Sequence, residues 1–432
     1  MLAYRAPQRK ETLKVLWLVA AVVLLHFTLV DISDYPLTLA PFVVVWFMFV
    51  SYRFSFPKII LPLWSLLLIL PFLNFDPAAS AADVTEFMQT YLLWVFAATA
   101  VLFASRAGIR ADGLWVAKAA FVSLVIVALY SVAQFGLYEF LSLDILYNPW
   151  GDRQYAYQYD VVANALNLRP QGFYLEPSYN AFVVTSMLFI SVISNYRPVP
   201  ALVLGGVALL VIQALSGVLV YSFILGGYLA YRATRRQVVT SVAVFLLCIS
   251  AAYLSGVAEY FLGRIASLSV EGSSAYYRIV APLEMLRDIL TNDLTGLPFG
   301  SYQEVVLSYG LLLDGIGIGQ SLDNGLYLLL FYFGWIGIIV LALAALTAVF
   351  LYRGRMRTST AYVLGYLFLS LFYSGGIFSP EYVLIVILII YTWRAYGIPV
   401  HARDDAPVFA SAAGHGVAMR RQRPHGGGSE AT

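Results

Sequence analysis

One pattern constrains this chain more than any other: apolar runs of roughly 16–25 residues, long enough for a helix to cross a bilayer, recur along most of its length. Surrounded by lipid, backbone N–H and C=O groups find partners only in helices or closed barrels. Barrel strands are about 10 residues long and alternate apolar with polar side chains, and these runs do neither. The expected spans lie at 14–30, 36–52, 58–74, 85–104, 114–136, 177–195, 199–214, 217–231, 237–257, 324–350, 360–378 and 381–397. Residues 199–231 are too long for a single crossing, and Ser216-Gly217 is the expected break. Composition agrees, because 12% of residues are charged where a soluble domain carries about 25%. The fold class that follows is an all-α polytopic membrane protein of about twelve transmembrane helices.

Charge placement orients the map. With the N-terminus in the cytoplasm, 21 of the 26 Lys and Arg fall on cytoplasmic segments, as the positive-inside rule requires. The five others are all arginines: Arg153, Arg169, Arg264, Arg278 and Arg287. They stand among 19 of the 24 acidic residues, so the outside face is acidic and its arginines are the first candidates for function. Arg5, Arg9, Lys10 and Lys14 before an apolar stretch resemble a signal peptide, but no small-residue cleavage site follows near Asp31, so the segment is expected to stay as the first helix. Cys248 is the single cysteine, which excludes an intramolecular disulfide and C-x-x-C chemistry. A net charge of +2 argues against a nucleic-acid partner.

The organisation expected is helices one to five within 1–136, a first outside loop at 137–176, helices six to nine within 177–257, a second loop at 258–323, three helices within 324–397, and a disordered cytoplasmic tail at 398–432. Long loops in compact proteins are functional or disordered, and the aromatic content of these two argues for order. The first ends in Arg169-Pro170-Gln171-Gly172-Phe173-Tyr174-Leu175-Glu176-Pro177-Ser178-Tyr179-Asn180. Pro177 suits a first helical turn, and Glu176 as an acid at a helix N-terminus is the plain alternative to a catalytic role. For Arg169 the plain alternative is a surface ion pair or a lipid headgroup contact.

The second loop holds Arg264, then Glu271-Gly272-Ser273-Ser274-Ala275-Tyr276-Tyr277-Arg278, and a helix expected over 275–290 that Pro282 should kink or split, with Arg278 and Arg287 on either side. Gly315-Ile316-Gly317-Ile318-Gly319 imitates a dinucleotide fingerprint but follows no strand, so a flexible loop is the better reading. Asp323 precedes Asn324 at the start of the tenth span, where an N-cap would account for it.

Taken in order, these features resemble the O-antigen polymerase and O-antigen ligase family of membrane glycosyltransferases. The matching positions are Arg169, Gly172, Glu176, Pro177 and Asn180, then Arg264, Ser273, Ser274 and Arg278, then the Gly-rich turn at 296–300, and finally Asp323-Asn324 through Gly334-Trp335-Ile336-Gly337. The whole chain is also similar to polymerases of xanthan-type exopolysaccharides. Ligases of the family usually carry a His before that Asn, where this chain has Asp323. Its four histidines, His26, His401, His415 and His425, lie outside both loops, which favours a polymerase.

The resemblance implies a GT-C-like fold with short helices in the outside loops. It implies a lipid substrate, an oligosaccharide repeat on undecaprenyl pyrophosphate, in the bacterial inner membrane with both termini cytoplasmic. Chain-length regulators and export proteins are implied partners, and no cofactor is. An outside transferase has no access to nucleotide sugars, and no D-x-D pair on the outside face suggests a metal site. Guanidinium groups are then the expected partners of the departing pyrophosphate: Arg169, Arg264 and Arg278, with Arg287 in reserve. Glu176 or Asp323 is the expected base, and Tyr174, Asn180, Tyr277 and Asn324 are expected on the substrate. A lipid-oligosaccharide flippase is the rival from another class, with a ligase or a non-catalytic assembly subunit behind it. Transporters place polar groups at mid-membrane depth, whereas here charge concentrates outside.

The charge partition makes its own prediction. Alkaline phosphatase fused after residue 143 should be active, and fused after residue 197 it should be inactive; the reverse pattern in whole cells would overturn the orientation.

Overall fold

The computed structural model describes residues 5–32, 35–53, 60–75, 81–110, 113–143, 157–160, 165–174, 176–231, 280–309, 324–351, 355–372 and 376–396, with residues 239, 263, 266 and 276 besides. Thirteen α-helices run through them. They are α1 (Arg5–Val23), α2 (Ala40–Ser51), α3 (Ile60–Ile69), α4 (Ala81–Arg106), α5 (Leu114–Leu141), α6 (Pro177–Ile193), α7 (Pro198–Ile212), α8 (Leu215–Tyr231), α9 (Ala281–Asn292), α10 (Tyr302–Ser308), α11 (Gly325–Leu351), α12 (Arg355–Ser370) and α13 (Pro380–Tyr396). Each expected span overlaps a helix except that at 237–257, of which only residue 239 is among the described residues. Among the described residues, two helices are long and apolar enough to cross a membrane, over Val84–Arg106 and Leu114–Leu141. Shorter apolar helices cover Ala40–Ser51, Leu61–Asn74, Pro177–Ile193, Pro198–Ile212, Leu215–Ala230, Gly325–Val340 and Ser359–Ser370.

Three departures from expectation have local causes. The first helix stops at Val23, and an antiparallel ladder of Thr28–Ile32 (β1) with Tyr35–Thr38 (β2) takes the end of the expected span. In the first loop, Tyr157–Asp160 (β5) pairs with Ala165–Leu168 (β6) instead of forming a short helix. Tyr157-Gln158-Tyr159-Asp160 alternates aromatic and polar residues, the period of a strand. The break between α7 and α8 falls at Gln213, in the left-handed region at φ 56°, and not at Ser216-Gly217. Gly217 instead permits close approach, since a Cβ there would sit 2.8 Å from Leu209 Cδ2 and 3.2 Å from Ala181 Cβ. In the second loop Pro282 lies in the first turn of α9, where its missing N–H leaves no helical bond unmade.

At the centre lies α6, every residue of it buried but Tyr179, between α5, α7, α8 and α13. Such a helix needs no amphipathic stripe, but its polar groups need internal partners. Thr185, Ser186 and Ser191 donate to carbonyls one turn back, at 2.9, 2.6 and 2.9 Å. One end of the bundle is closed by Arg394 of α13, which donates to the carbonyls of Ala104 and Ala107 at the C-terminus of α4, at 2.8 and 2.6 Å. These are carbonyls a helix end leaves without partners. Beside them the β3–β4 ladder (Tyr52–Arg53 with Gly108–Ile109) ties the ends of α2 and α4, and Tyr391 packs against Phe47 and Tyr52.

Towards the opposite end, α11 is broken at Gly334, whose backbone (φ 50°, ψ −148°) is not helical. Residues 294–297 fill the break: Leu297 N donates to the Phe331 carbonyl at 2.8 Å and Ile336 N to the Leu294 carbonyl at 3.3 Å. Gly296 and Gly334 meet with no room for side chains, a Cβ on either standing 2.6 Å from the other's amide nitrogen. Trp335 Nε1 adds a bond to the Leu290 carbonyl of α9, and Phe299 seats among Phe87, Tyr332 and Phe333. Gly334→Ala should therefore lower thermal stability in detergent by about 2–4 kcal/mol, from the disfavoured backbone and the clash together. Gly226→Ala, with open space around it, should raise stability by up to about 1 kcal/mol. Equal melting points for the two variants would refute the interlock.

Candidate functional site

The end of the first loop is built from the backbone outward. Pro170 fixes the chain direction after Arg169, and its carbonyl accepts from Asn180 Nδ2 at 3.2 Å. Gly172 follows in the left-handed region at φ 65°. A Cβ there would meet the Asn180 amide at 2.8 Å, so both conformation and space demand glycine. Tyr174 N closes a turn onto the Gln171 carbonyl at 3.1 Å. Its phenol donates to the Val22 carbonyl at 3.1 Å, bolting the segment to the end of α1. Burial pushes the Tyr174 phenol above its usual range, so it stays protonated.

Two residues of α5, one turn apart, receive this segment. Gln134 accepts from Gly172 N at 2.8 Å and donates to the Gly172 carbonyl at 3.2 Å. Ser131 Oγ accepts from Asn180 Nδ2 at 2.9 Å. All four side chains and backbones involved are buried.

Arg169 is 5% exposed, and its Nη2 donates to the Gln213 carbonyl at 3.1 Å, at the α7–α8 break. A surface ion pair is therefore not its setting. Glu176 occupies the N-cap position of α6 with extended backbone, yet its side chain caps no N–H of that helix, and Pro177 follows in the first turn. Its carboxylate is partly exposed.

Around this segment stand side chains that sequence reasoning missed. His26, distant in the chain from both loops, packs edge-on against Tyr174 and Tyr179 at 5.6 and 4.4 Å between ring centres. The histidine is thus beside the first loop in space. Thr38 of β2 donates to Glu381 at the start of α13, and Tyr382 stacks on Phe182 of α6. Gln134 left one signal, a lone amide in the long apolar helix α5, a position where a polar residue is a functional candidate by default.

The remaining expected residues divide. Arg264, Tyr277, Arg278 and Asp323 lie outside the described residues. Arg287 is on the exposed side of amphipathic α9, its side chain 77% exposed and 3.6 Å from Asp288. Asn324 caps α11, its Oδ1 accepting from Leu326 N and Tyr327 N at 3.0 and 3.4 Å. Tyr174, Asn180 and Asn324, expected on the substrate, all have side chains buried and bonded to protein groups.

With the geometry in place, comparison with known proteins is decisive. A family model described as WcaD colanic acid polymerase matches residues 12–395. The chain belongs to the WcaD colanic acid polymerase family. A protein of Escherichia coli (strain K12) named "Putative colanic acid polymerase" is 33% identical over 238 residues, 51% of this chain and 55% of its own length. The chain thus spans about half the length of the curated relative it matches. The family match contains both the Arg169 segment and the Gly296–Gly334 contact.

Gly172→Ala should cost about 2–4 kcal/mol, from the left-handed backbone and the clash with Asn180. A melting temperature equal to wild type would show that the segment does not hold this turn.

Proposed function

We propose that this protein polymerises exopolysaccharide repeat units at the outer face of the bacterial inner membrane. The observation that carries the reading is the buried Arg169, held at a junction of helix ends in a chain of the colanic acid polymerase family. Buried arginine is costly unless bonded, and a fixed cation aimed at charge developing on a leaving group is a large catalytic term.

In the proposed reaction, a hydroxyl of the incoming lipid-linked oligosaccharide attacks the anomeric carbon of the growing chain. The bond from that carbon to the pyrophosphate oxygen breaks, and undecaprenyl pyrophosphate leaves with the electron pair. Glu176 takes the hydroxyl proton, its carboxylate not being used as a helix cap; Asp323 is the alternative base. Arg169, with Arg264 and Arg278, neutralises the pyrophosphate. Displacement is direct, with inversion, and no metal takes part. The repeat is of the xanthan type, and chain-length and export proteins are the expected partners.

Twelve spans with both termini cytoplasmic fit the contacts described. Arg169 meets Gln213, His26 meets Tyr174, and Thr38 meets Glu381, all in the first outside loop or in the outer halves of expected spans. Arg394 meets Ala104 and Ala107, expected inside.

The test uses the purified protein in nanodiscs with lipid-linked oligosaccharide repeats. Wild type should give a ladder of multimers, and Arg169→Ala and Glu176→Gln should each lose about 100- to 1000-fold in rate at normal expression. Lipid-linked sugar carried across vesicles without any ladder would replace the polymerase with a flippase.

A further inference from the structure

Arg169 is held from two sides. Its guanidinium is bonded to the Gln213 carbonyl, and its backbone enters a segment fixed three residues later at Gly172. Gln134 makes that second fixture. Its amide spans both polar groups of one glycine, accepting from the N–H and donating to the carbonyl, a two-point grip that sets orientation as well as position. The grip is fully buried, in a helix whose polar residues are few, and the Gly172 groups it serves face no water. Neighbouring bonds stiffen it: Asn180 joins Ser131 of the same helix to the Pro170 carbonyl, the residue next to Arg169.

A bond to the backbone of Gly172 does nothing for substrate recognition, since Gln134 is itself sealed inside. What it determines is where the chain at Arg169 stands relative to the bundle. We infer that Gln134 is the positioning residue for Arg169, setting the guanidinium where the leaving pyrophosphate develops charge; this rests on the polymerase reading. Leucine is close to glutamine in size but offers Gly172 neither donor nor acceptor. Glutamate keeps an acceptor for the Gly172 N–H but, as a carboxylate, loses the donor to its carbonyl.

The experiment measures polymerisation kinetics in nanodiscs for wild type, Gln134→Leu, Gln134→Glu, Arg169→Ala and the Gln134→Leu/Arg169→Ala double variant, with hydrogen exchange of the 165–176 peptide alongside. Displacing a catalytic group by about 1 Å costs on the order of 100-fold, so Gln134→Leu should lose about that factor in kcat with KM changed less than about twofold. Exchange in the peptide should rise. The double variant should be no slower than Arg169→Ala, because the two residues act as one unit. Gln134→Leu with wild-type kcat, or with unchanged exchange, or with a loss that adds fully to that of Arg169→Ala, would overturn the inference. If Gln134→Leu is not recovered folded, Gln134→Glu decides: an approximately tenfold lower kcat supports the role, and a wild-type kcat overturns it. Wild type making no polymer would remove the polymerase reading and this role together, whereas a polymerising wild type matched by Gln134→Leu removes this role alone.

Discussion

A helix enclosed on every side has no water to which its polar groups can turn, and α6 is such a helix. Every hydroxyl, amide and chain end near it must find a partner among its neighbours or lose about 1–3 kcal/mol. That requirement organises the molecule around it. The hydroxyls of Thr185, Ser186 and Ser191 bond back to carbonyls of α6, Ser186 also meets the Tyr366 phenol of α12 at 2.8 Å, and the chain entering α6 is bonded to α5 through Gln134 and Ser131. The same accounting explains the far end, where Arg394 serves the last carbonyls of α4. The polar contacts of the bundle are thus few, buried and specific, while apolar packing supplies the bulk.

The Arg169 segment inherits rigidity from this arrangement. Its turn is bonded at Gly172 to α5, its aromatic anchor at Tyr174 to the end of α1 and its guanidinium to Gln213 at the end of α7, three different helices.

Much of the fold was legible because hydropathy over a span is summed over many residues, so single exceptions do not disturb it. Boundaries depend on few residues and were read less well. The hairpin of β1 and β2 took residues counted in the first span, and the α7–α8 break moved to Gln213, where a polar residue in the left-handed region outweighed a Ser-Gly pair. At the site, Arg169 was legible as a cation isolated from the positive-inside pattern. Gln134 and His26 were not, since nothing in a linear chain says which distant residue a buried amide or imidazole will face. Asn324 caps α11, and capping preference does not by itself choose between two adjacent side chains that both qualify. The Gly-rich turn at 296–300 and the Gly334 segment were both visible as separate motifs, but their contact with each other was not.

That contact bears on how the chain is assembled. Residues 294–297 are made before α11, yet they supply the hydrogen bonds that α11 lacks at Gly334. The helix cannot enter an apolar environment as a finished, self-sufficient cylinder; its broken turn is completed only by a strip of chain already waiting beside it. Order of synthesis therefore puts the plug before the socket: the strip that completes the broken turn of α11 already exists when α11 emerges.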